Sequence, residues 1–432
     1  MNDLIQNILD KKARICVIGL GHTGLPLALA FVESGFHVLG IDTDKKKIQT
    51  LKQRRSYDPD VSDGSIKNAI DSKKFAVRLN TKIPPDTDCI IISVPTPLNK
   101  TKDPDISYVL NVINEIEKII KPGVLIVLQS TTYPGTTREL VLPILEKSNF
   151  KVGRDFFLSY SPERLDPGNK EFNTKNIPRV VGGITKKCTE ITEILFKQVV
   201  DKTVPASCSE SAEMVKLLEN TFRSVNIALI NEVAIMCDKL GLNVWEVIET
   251  ASTKPFGFMP FYPGPGIGGH CIPVDPQYLS WKLKLLNYKA RFIDLASEIN
   301  TEMPEFIIKK VSGILNEKSK SIKNSKVLLA GVAYKRNSDD YREAPSLDIF
   351  GLLEKMGARV SFNDPHVPVI ELGEKVVKST KLSKPVISKQ DIIIILTDHD
   401  QIDFDLIKEN AKLVLDTRNV YKGRINKRIY KL

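Results

Sequence analysis

Three glycines, an acid and a cysteine carry the most visible chemistry in this chain. Gly19, Gly21 and Gly24 form G-x-G-x-x-G where the apolar run ARICVI meets the helix-like LPLALAFVE, and Asp42 ends the next strand-like run, FHVLGID. Without side chains, the loop backbone can approach a pyrophosphate, and the helix N-terminus offers N–H donors and a favourable dipole. Asp42 can accept from an adenosine ribose and repels a 2′-phosphate, so the pattern predicts NAD rather than NADP. Lys45 to Lys47 soften that exclusion, because a lysine could pair with a phosphate. A lone glycine triplet also fits a ligand-free tight turn, but strand, loop, helix and acid follow here in the order and spacing that dinucleotide binding requires. Downstream, SVPTP sets Ser93, Val94 and Thr96 after another apolar run, at the carboxyl edge where ligands of parallel sheets bind.

The second site is GPGIGGHCIPVDP, which places Cys271 after closely spaced glycines, Gly268 among them, with Asp275 four residues on. Glycines let a bulky substrate lie against backbone, and a thiol in a polar loop is reachable in a way that a core thiol is not. Cys16 and Cys89 sit in apolar strand-like runs and Cys237 in an apolar helix, and all three read as core. The six cysteines include no CxxC pair, which argues against a disulfide framework or a Cys-rich zinc site, and no metal site is indicated. His270 could help to ionise the neighbouring thiol. Adjacent residues in an extended loop point in different directions, so a spacer or hydrogen-bonding role is the simpler reading. Lys216, Asn220 and Arg223 stand at i, i+4 and i+7 on one helical face, which on spacing alone reads as a solvated stripe.

The elements that must position these residues form two α/β rhythms around a helical centre. A chain of 432 residues, 42% hydrophobic and 26% charged, has an ordinary globular composition and the length for two or three domains. From residue 13 to about 200, short apolar runs alternate with amphipathic stretches, the signature of a parallel sheet covered on both faces. Helical periodicity over 211–240 and around 290–308 brackets the cysteine loop, and strand and helix signals restart at Ser325. The expected fold is α/β, with two Rossmann-like doubly wound domains joined by a long central helical connector, divided as 1–205, 206–310 and 311–432. The last part lacks the glycine fingerprint and should bind something other than a second dinucleotide. No stretch approaches the ~20 apolar residues that span a bilayer, and the N-terminus shows no cleavage pattern, so a cytoplasmic protein without a membrane partner is expected. The net charge of +10 comes from lysines spread along the chain without interleaved aromatics, a solvated surface rather than a nucleic-acid site. The basic tail YKGRINKRIYKL reads as a solvated end.

GLGHTG, SVPTP, STTYPGT, SPERLDPG, EMVKLLENTFR, GPGIGGHCIPVDP and YKRNSDDYRE occur in the order found in the UDP-glucose/GDP-mannose dehydrogenase family, which the sequence resembles over nearly its whole length. SPERLDPGN and GPGIGGHCIPVDP resemble the branch acting on UDP-N-acetylhexosamines, UDP-N-acetylglucosamine 6-dehydrogenases above all. UDP-N-acetylmannosamine is the close competitor. The UDP-glucose branch typically reads GFGGSCF, from which Pro265 and His270 depart. The resemblance implies four-electron oxidation of the sugar C6 alcohol to a carboxylate with two NAD in succession, through a thiohemiacetal and thioester on Cys271, for polysaccharide biosynthesis. It also implies roles for individual residues. Lys216 and Asn220 would stabilise the C6 oxyanion, Thr132 and Asp275 would organise the water or base, and Glu163 would act as general base in thioester hydrolysis. Lys335 would contact the UDP-sugar, Arg342 the NAD pyrophosphate, and Arg164 and Tyr262 the sugar or its acetamido group. A homodimer through the long central helix is implied, and the apolar residues over 227–236 are compatible with it. Two readings of other classes stand beside this one. A non-catalytic dinucleotide-binding regulator would be expected to lose Cys271, Lys216 or Asp275, and a two-electron hydroxy-acid dehydrogenase needs neither the cysteine loop nor the second α/β domain.

Overall fold

The structure, a computed structural model, describes residues 2–80, 82–99, 103–166, 168–169, 171–269, 271–423 and 427–432. It divides into two compact units, Met1–Glu219 with Gln277–Tyr288, and Asn220–Pro276 with Lys289–Leu432.

In the first unit, eight short strands build one sheet: β1 Arg14–Ile18, β2 His37–Asp42, β3 Phe75–Leu79, β4 Cys89–Ile92, β5 Leu125–Leu128, β6 Phe157–Tyr160, β7 Arg179–Gly183 and β8 Thr203–Pro205. Their order is β3-β2-β1-β4-β5-β6-β7-β8, parallel except where β6 meets β7. Strands β4, β5 and β6 are buried at every position, as parallel strands covered on both faces must be. Alternate residues feed opposite cores: Ile15 and Val17 join one apolar cluster, Cys16 and Ile18 the other. Sequence order reverses between β1 and β4. The glycine loop after β1 and SVPTP after β4 both lie at the carboxyl end of that switch point, where open α/β sheets bind ligands.

The second unit repeats the plan in smaller form. Strands β9 Lys326–Ala330, β10 Arg359–Asn363, β13 Ile392–Ile395, β14 Val414–Asp416 and β15 Ile429–Lys431 pair in the order β10-β9-β13-β14-β15. A separate hairpin joins β11 Val369–Leu372 to β12 Lys375–Lys378. The four isoleucines of β13 alternate between faces, Ile392 and Ile394 into one cluster and Ile393 and Ile395 into another.

Two doubly wound sheets and a long helix, Ser209–Leu240, match the expected fold class. The second helix of the centre runs over Arg291–Asn316, past the expected end near 308, because Val311, Ile314 and Leu315 continue its buried face. The basic tail corrects the sequence reading. It is not a solvated end: β15 pairs in parallel with β14 and Leu432 is buried. Three paired residues at a sheet edge are too short a run for alternation to reveal. Among the described residues no helix is long and apolar enough to cross a membrane.

Candidate active site

The three loop glycines are required for different reasons. Gly19 turns at φ 91°, and a Cβ there would stand 2.3 Å from the Ser93 carbonyl oxygen; one on Gly24 would stand 1.9 Å from the Gly19 carbonyl oxygen. Both are demands of the protein's own packing. Gly21 differs, since a Cβ there meets nothing within 4 Å, so the open side of the loop is what its bare backbone serves. That is the geometry a pyrophosphate needs, and the residues fit NAD. Asp42 is 9% exposed and its carboxylate accepts from the Leu20 N–H (2.9 Å) and the Asp44 N–H (2.8 Å). Lys47 Nζ lies 3.7 Å from Asp42, so its charge is shared with that acid. Ser93 Oγ meets Thr23 Oγ1 at 2.7 Å, Ser130 Oγ donates to the Val94 carbonyl at 2.8 Å, and Tyr278 OH donates to the Thr96 carbonyl at 2.8 Å.

A second cluster in the same unit gathers Glu163, Arg164 and Lys216. Lys216 Nζ donates to the Glu163 carbonyl at 2.8 Å and Asn220 is buried, so these two members of the supposed solvated stripe turn inward, while Arg223 is exposed as the spacing suggested. Arg164 forks onto Glu219 (2.6 and 3.3 Å) and donates to the Pro178 carbonyl at 2.9 Å. Thr132 is fully buried and its hydroxyl has no hydrogen-bond partner among the described residues. An orphaned buried hydroxyl costs about 1–3 kcal/mol, and it fits a role in holding substrate or water. The sequence reading passed over Gln129, Arg179 and Glu213. Glu213 is fully buried; it accepts from the Gly135 N–H (2.6 Å), the Thr137 N–H (2.9 Å) and Thr137 Oγ1 (2.6 Å) and ties the STTYPGT loop to the long helix. Burial, partly offset by those bonds, pushes its carboxyl up to about 7. The available signal was a charged residue inside an apolar stretch: Arg179 in PRVVGG and Glu213 in an apolar helix face.

The second unit holds the cysteine loop. Cys271 is exposed, while Cys16, Cys89, Cys188 and Cys237 are buried and Cys208 is half-buried. Its carbonyl accepts from the Val274 N–H (3.2 Å) and the Asp275 N–H (2.8 Å), closing a turn that leads into the helix Asp275–Lys284. Asp275 is 4% exposed and accepts from Asn220 Nδ2 at 2.5 Å. Gly268 has no room for a side chain: a Cβ would stand 2.7 Å from Tyr334 Cβ and 2.9 Å from the Glu343 carbonyl oxygen. Tyr262, 56% exposed, stacks on Trp245 with ring centres 6.1 Å apart. Lys335 is half-buried in the segment after β9, where the Val332 and Ala333 N–H groups donate to Asp364. Arg342 is exposed and forks onto Asp340 (2.8 and 2.7 Å). His270 lies outside the described residues.

The sequence matches the UDP-glucose/GDP-mannose dehydrogenase family in three successive parts: its NAD binding domain over residues 13–200, its central domain over 210–302 and its UDP binding domain over 328–423. UDP-N-acetyl-D-mannosamine dehydrogenase of Methanococcus maripaludis is 36% identical over 96% of this chain and 95% of its own length. UDP-N-acetyl-D-glucosamine 6-dehydrogenase of Pseudomonas aeruginosa is 34% identical over 83% and 84%. The solved structure of a UDP-D-ManNAc dehydrogenase from Pyrococcus horikoshii superposes with a TM-score of 0.88 at 31% identity, covering 97% of this chain and 98% of that one.

Two outcomes are expected from this geometry. Gly21→Ala should fold with the parent's melting temperature yet bind NAD at least about tenfold more weakly, measured by calorimetric titration. Gly24→Ala should lose stability outright, and parental NAD affinity in Gly21→Ala would remove the argument for that glycine. For Glu213, the folded value near 7 lies above the unfolded value of 4.5, so its stabilising contribution is full below 4.5 and is lost as pH rises through about 7. The parent should lose on the order of 3 kcal/mol across that window, and Glu213→Gln should flatten the decline; equal slopes in calorimetric melts would rule Glu213 out as its source.

Proposed function

The chain belongs to the UDP-glucose/GDP-mannose dehydrogenase family, and on that premise we propose that it oxidises a UDP-N-acetylhexosamine at C6, through to the uronic acid, with a thioester on Cys271. It is an NAD-dependent nucleotide-sugar dehydrogenase. The observation that carries the covalent route is the exposed Cys271 on a turn closed by Asp275, whose carboxylate is held by Asn220. The three proposed domains divide the work, 1–205 for NAD, 206–310 for the thiol and the dimer, and 311–432 for the UDP-sugar.

Gly19, Gly21, Gly24, Asp42, Ser93, Val94, Thr96 and Arg342 would hold NAD, which supplies the hydride acceptor for both oxidations. Thr132 and Asp275 would organise the water or base that takes the C6 hydroxyl proton in the first oxidation. An aldehyde has no hydride to give readily until a nucleophile adds, so the Cys271 thiolate forms a C–S bond to C6, and Lys216 and Asn220 stabilise the oxygen anion. Loss of the second hydride leaves a thioester. Water, with Glu163 taking its proton, forms the C–O bond, and the C–S bond breaks to return the thiol. Lys335, Arg164, Tyr262 and the backbone at Gly268 would bind the UDP-sugar.

Motif resemblance favours UDP-N-acetylglucosamine, and the Pseudomonas relative bears that name. The Methanococcus relative and the Pyrococcus structure support UDP-N-acetylmannosamine equally well. A homodimer is supported by Phe222, Leu229 and Met236, exposed apolar residues repeating every seven positions along the long helix.

Incubated with NAD and each UDP-sugar in turn, the parent enzyme should yield two NADH per sugar with an N-acetylhexosamine. Cys271→Ala should slow carboxylate formation at least about a hundredfold and stop at the aldehyde with one NADH per sugar. Full-rate carboxylate from that variant would end the covalent route, and turnover confined to UDP-glucose would end the acetylhexosamine assignment. In sedimentation equilibrium, the parent should run at twice the chain mass and Leu229→Glu at the chain mass. A monomeric parent would refute the dimer.

A further inference from the structure

Four donors converge on one carboxylate in the N-terminal unit. Glu163 Oε1 accepts from the backbone N–H groups of Arg164 (2.8 Å) and Leu165 (3.0 Å), and Oε2 accepts from Arg179 (3.1 Å) and from Gln129 Nε2 (3.1 Å). These occupy roughly the four acceptor positions that a carboxylate has. Arg179 is buried, its side chain 4% exposed, and it also donates from Nε to Ser161 Oγ at 3.0 Å and from its other terminal nitrogen to Gln129 Oε1 at 2.6 Å. Its guanidinium carbon lies 4.4 Å from the centre of the Phe196 ring. A planar fork so enclosed has one orientation, and a buried cation is tolerable only when paired. Because Gln129 Oε1 accepts from Arg179, its amide nitrogen faces Glu163 and, at 3.4 Å, Ser93 Oγ, which meets Thr23 of the glycine loop.

We propose that Arg179 and Gln129 are positioning residues for Glu163 in thioester hydrolysis: Arg179 fixes the carboxylate, and Gln129 is the donor that gives way when Glu163 takes the proton from water. The inference rests on the reading of Glu163 as the base. A carboxylate with every acceptor position filled must release one donor before it can bind a proton. The two backbone donors belong to the turn that Glu163 itself begins, and the Arg179 contact is charge-assisted. The neutral amide of Gln129, with long contacts on both sides, is the weakest of the four. As the water oxygen bonds to the thioester carbon, its proton passes to Glu163 Oε2, and the electrons of the breaking C–S bond leave with Cys271. Lys216 Nζ meets Glu163 at its backbone carbonyl, apart from the side-chain contacts of Arg179 and Gln129.

In rapid mixing with excess enzyme, NADH formed in the first turnover reports the two oxidations as a burst, and quenched release of the free uronic acid reports hydrolysis as a later phase. Arg179→Met should leave burst amplitude and KM near parental values and slow the later phase about a hundredfold, within the range general-base catalysis contributes. Arg179→Lys, which keeps the charge, should recover much of that loss, and Gln129→Leu should change the later phase alone. In a Glu163→Gln background, Arg179→Met should cost less than about twofold more, since both changes remove one function. Glu163→Gln removes the charge left unpaired by Arg179→Met, so the double variant reads out even where the single one folds poorly. Multiplying effects in the double variant, or a burst lost in step with the later phase, would overturn the positioning role while leaving Glu163 as the base. A Glu163→Gln enzyme with parental turnover would instead overturn the base assignment, and this inference with it.

Discussion

The rotational setting of one helix governs where Lys216 and Asn220 stand, and a buried carboxylate near its start helps to fix that setting. Glu213, near the start of Ser209–Leu240, is held by two backbone N–H groups and a hydroxyl of the STTYPGT loop. Residues three, four and seven positions apart share a helical face. Lys216 therefore emerges on the same side and reaches the Glu163 carbonyl, and Asn220 emerges one turn later and reaches Asp275. A slip of one residue would rotate the helix by about 100° and send all three polar groups elsewhere. Glu219, paired with Arg164, adds a second tie. The helix has apolar faces that could pack in more than one rotation, and it is these polar contacts that choose among them.

The cofactor loop is governed by backbone instead of side chains. Gly19 and Gly24 are forced by contacts within the fold, the first against Ser93 and the second against Gly19 itself. Asp42 couples the loop to the end of β2 by accepting from Leu20 and Asp44, so the acid that would meet a ribose is already immobilised. Pre-organisation of this kind reduces what binding must spend on ordering the site. The lysines that weakened the case against a 2′-phosphate are not equivalent either: Lys45 and Lys46 are exposed, whereas Lys47 shares its charge with Asp42.

How much of the molecule was legible in the sequence depends on the range of the physics involved. Gly19, Gly21, Gly24 and Asp42 act through a turn and the strands beside it, so their pattern is local, and the doubly wound plan is visible because buried parallel strands are short runs of Ile, Val and Leu. Cys271 stood out because its loop is rich in glycine and proline while other cysteines sit among apolar neighbours. Gln129, Arg179 and Glu213 were missed because their partners are distant in sequence: Arg179 meets Gln129 across 50 positions, and Glu213 meets Gly135 across 78. Each lies in an apolar stretch where one polar residue reads as an exception. Lys216 and Asn220 were misread on spacing alone for the same reason, since a stripe on a helix does not say whether it faces water or a carbonyl. The tail was misjudged because β15 takes its stability from β14, not from its own three residues.

The cysteines show how environment, more than residue type, assigns chemistry. Burial pushes the Cys16 thiol up to about 12 and pushes Cys89 up as well, so neither forms a thiolate at neutral pH or meets a substrate. Cys188 is enclosed, with the Leu158 N–H 3.4 Å and Thr185 Oγ1 3.1 Å from its sulfur, and Cys237 lies in the apolar core of the second unit. Cys208 is half-buried among the hydroxyls of Ser207 and Ser211. Cys271 is the exposed one, on a turn whose preceding glycines include Gly266 at φ 131° and Gly269 at φ 90°, conformations that side chains rarely adopt. Those glycines are also pressed against Pro345 and Tyr334, so the absence of their side chains is what lets the loop pack down. A thiol carried on a fixed turn can meet a carbon repeatedly in one geometry, which addition to an aldehyde requires and a mobile loop does not provide.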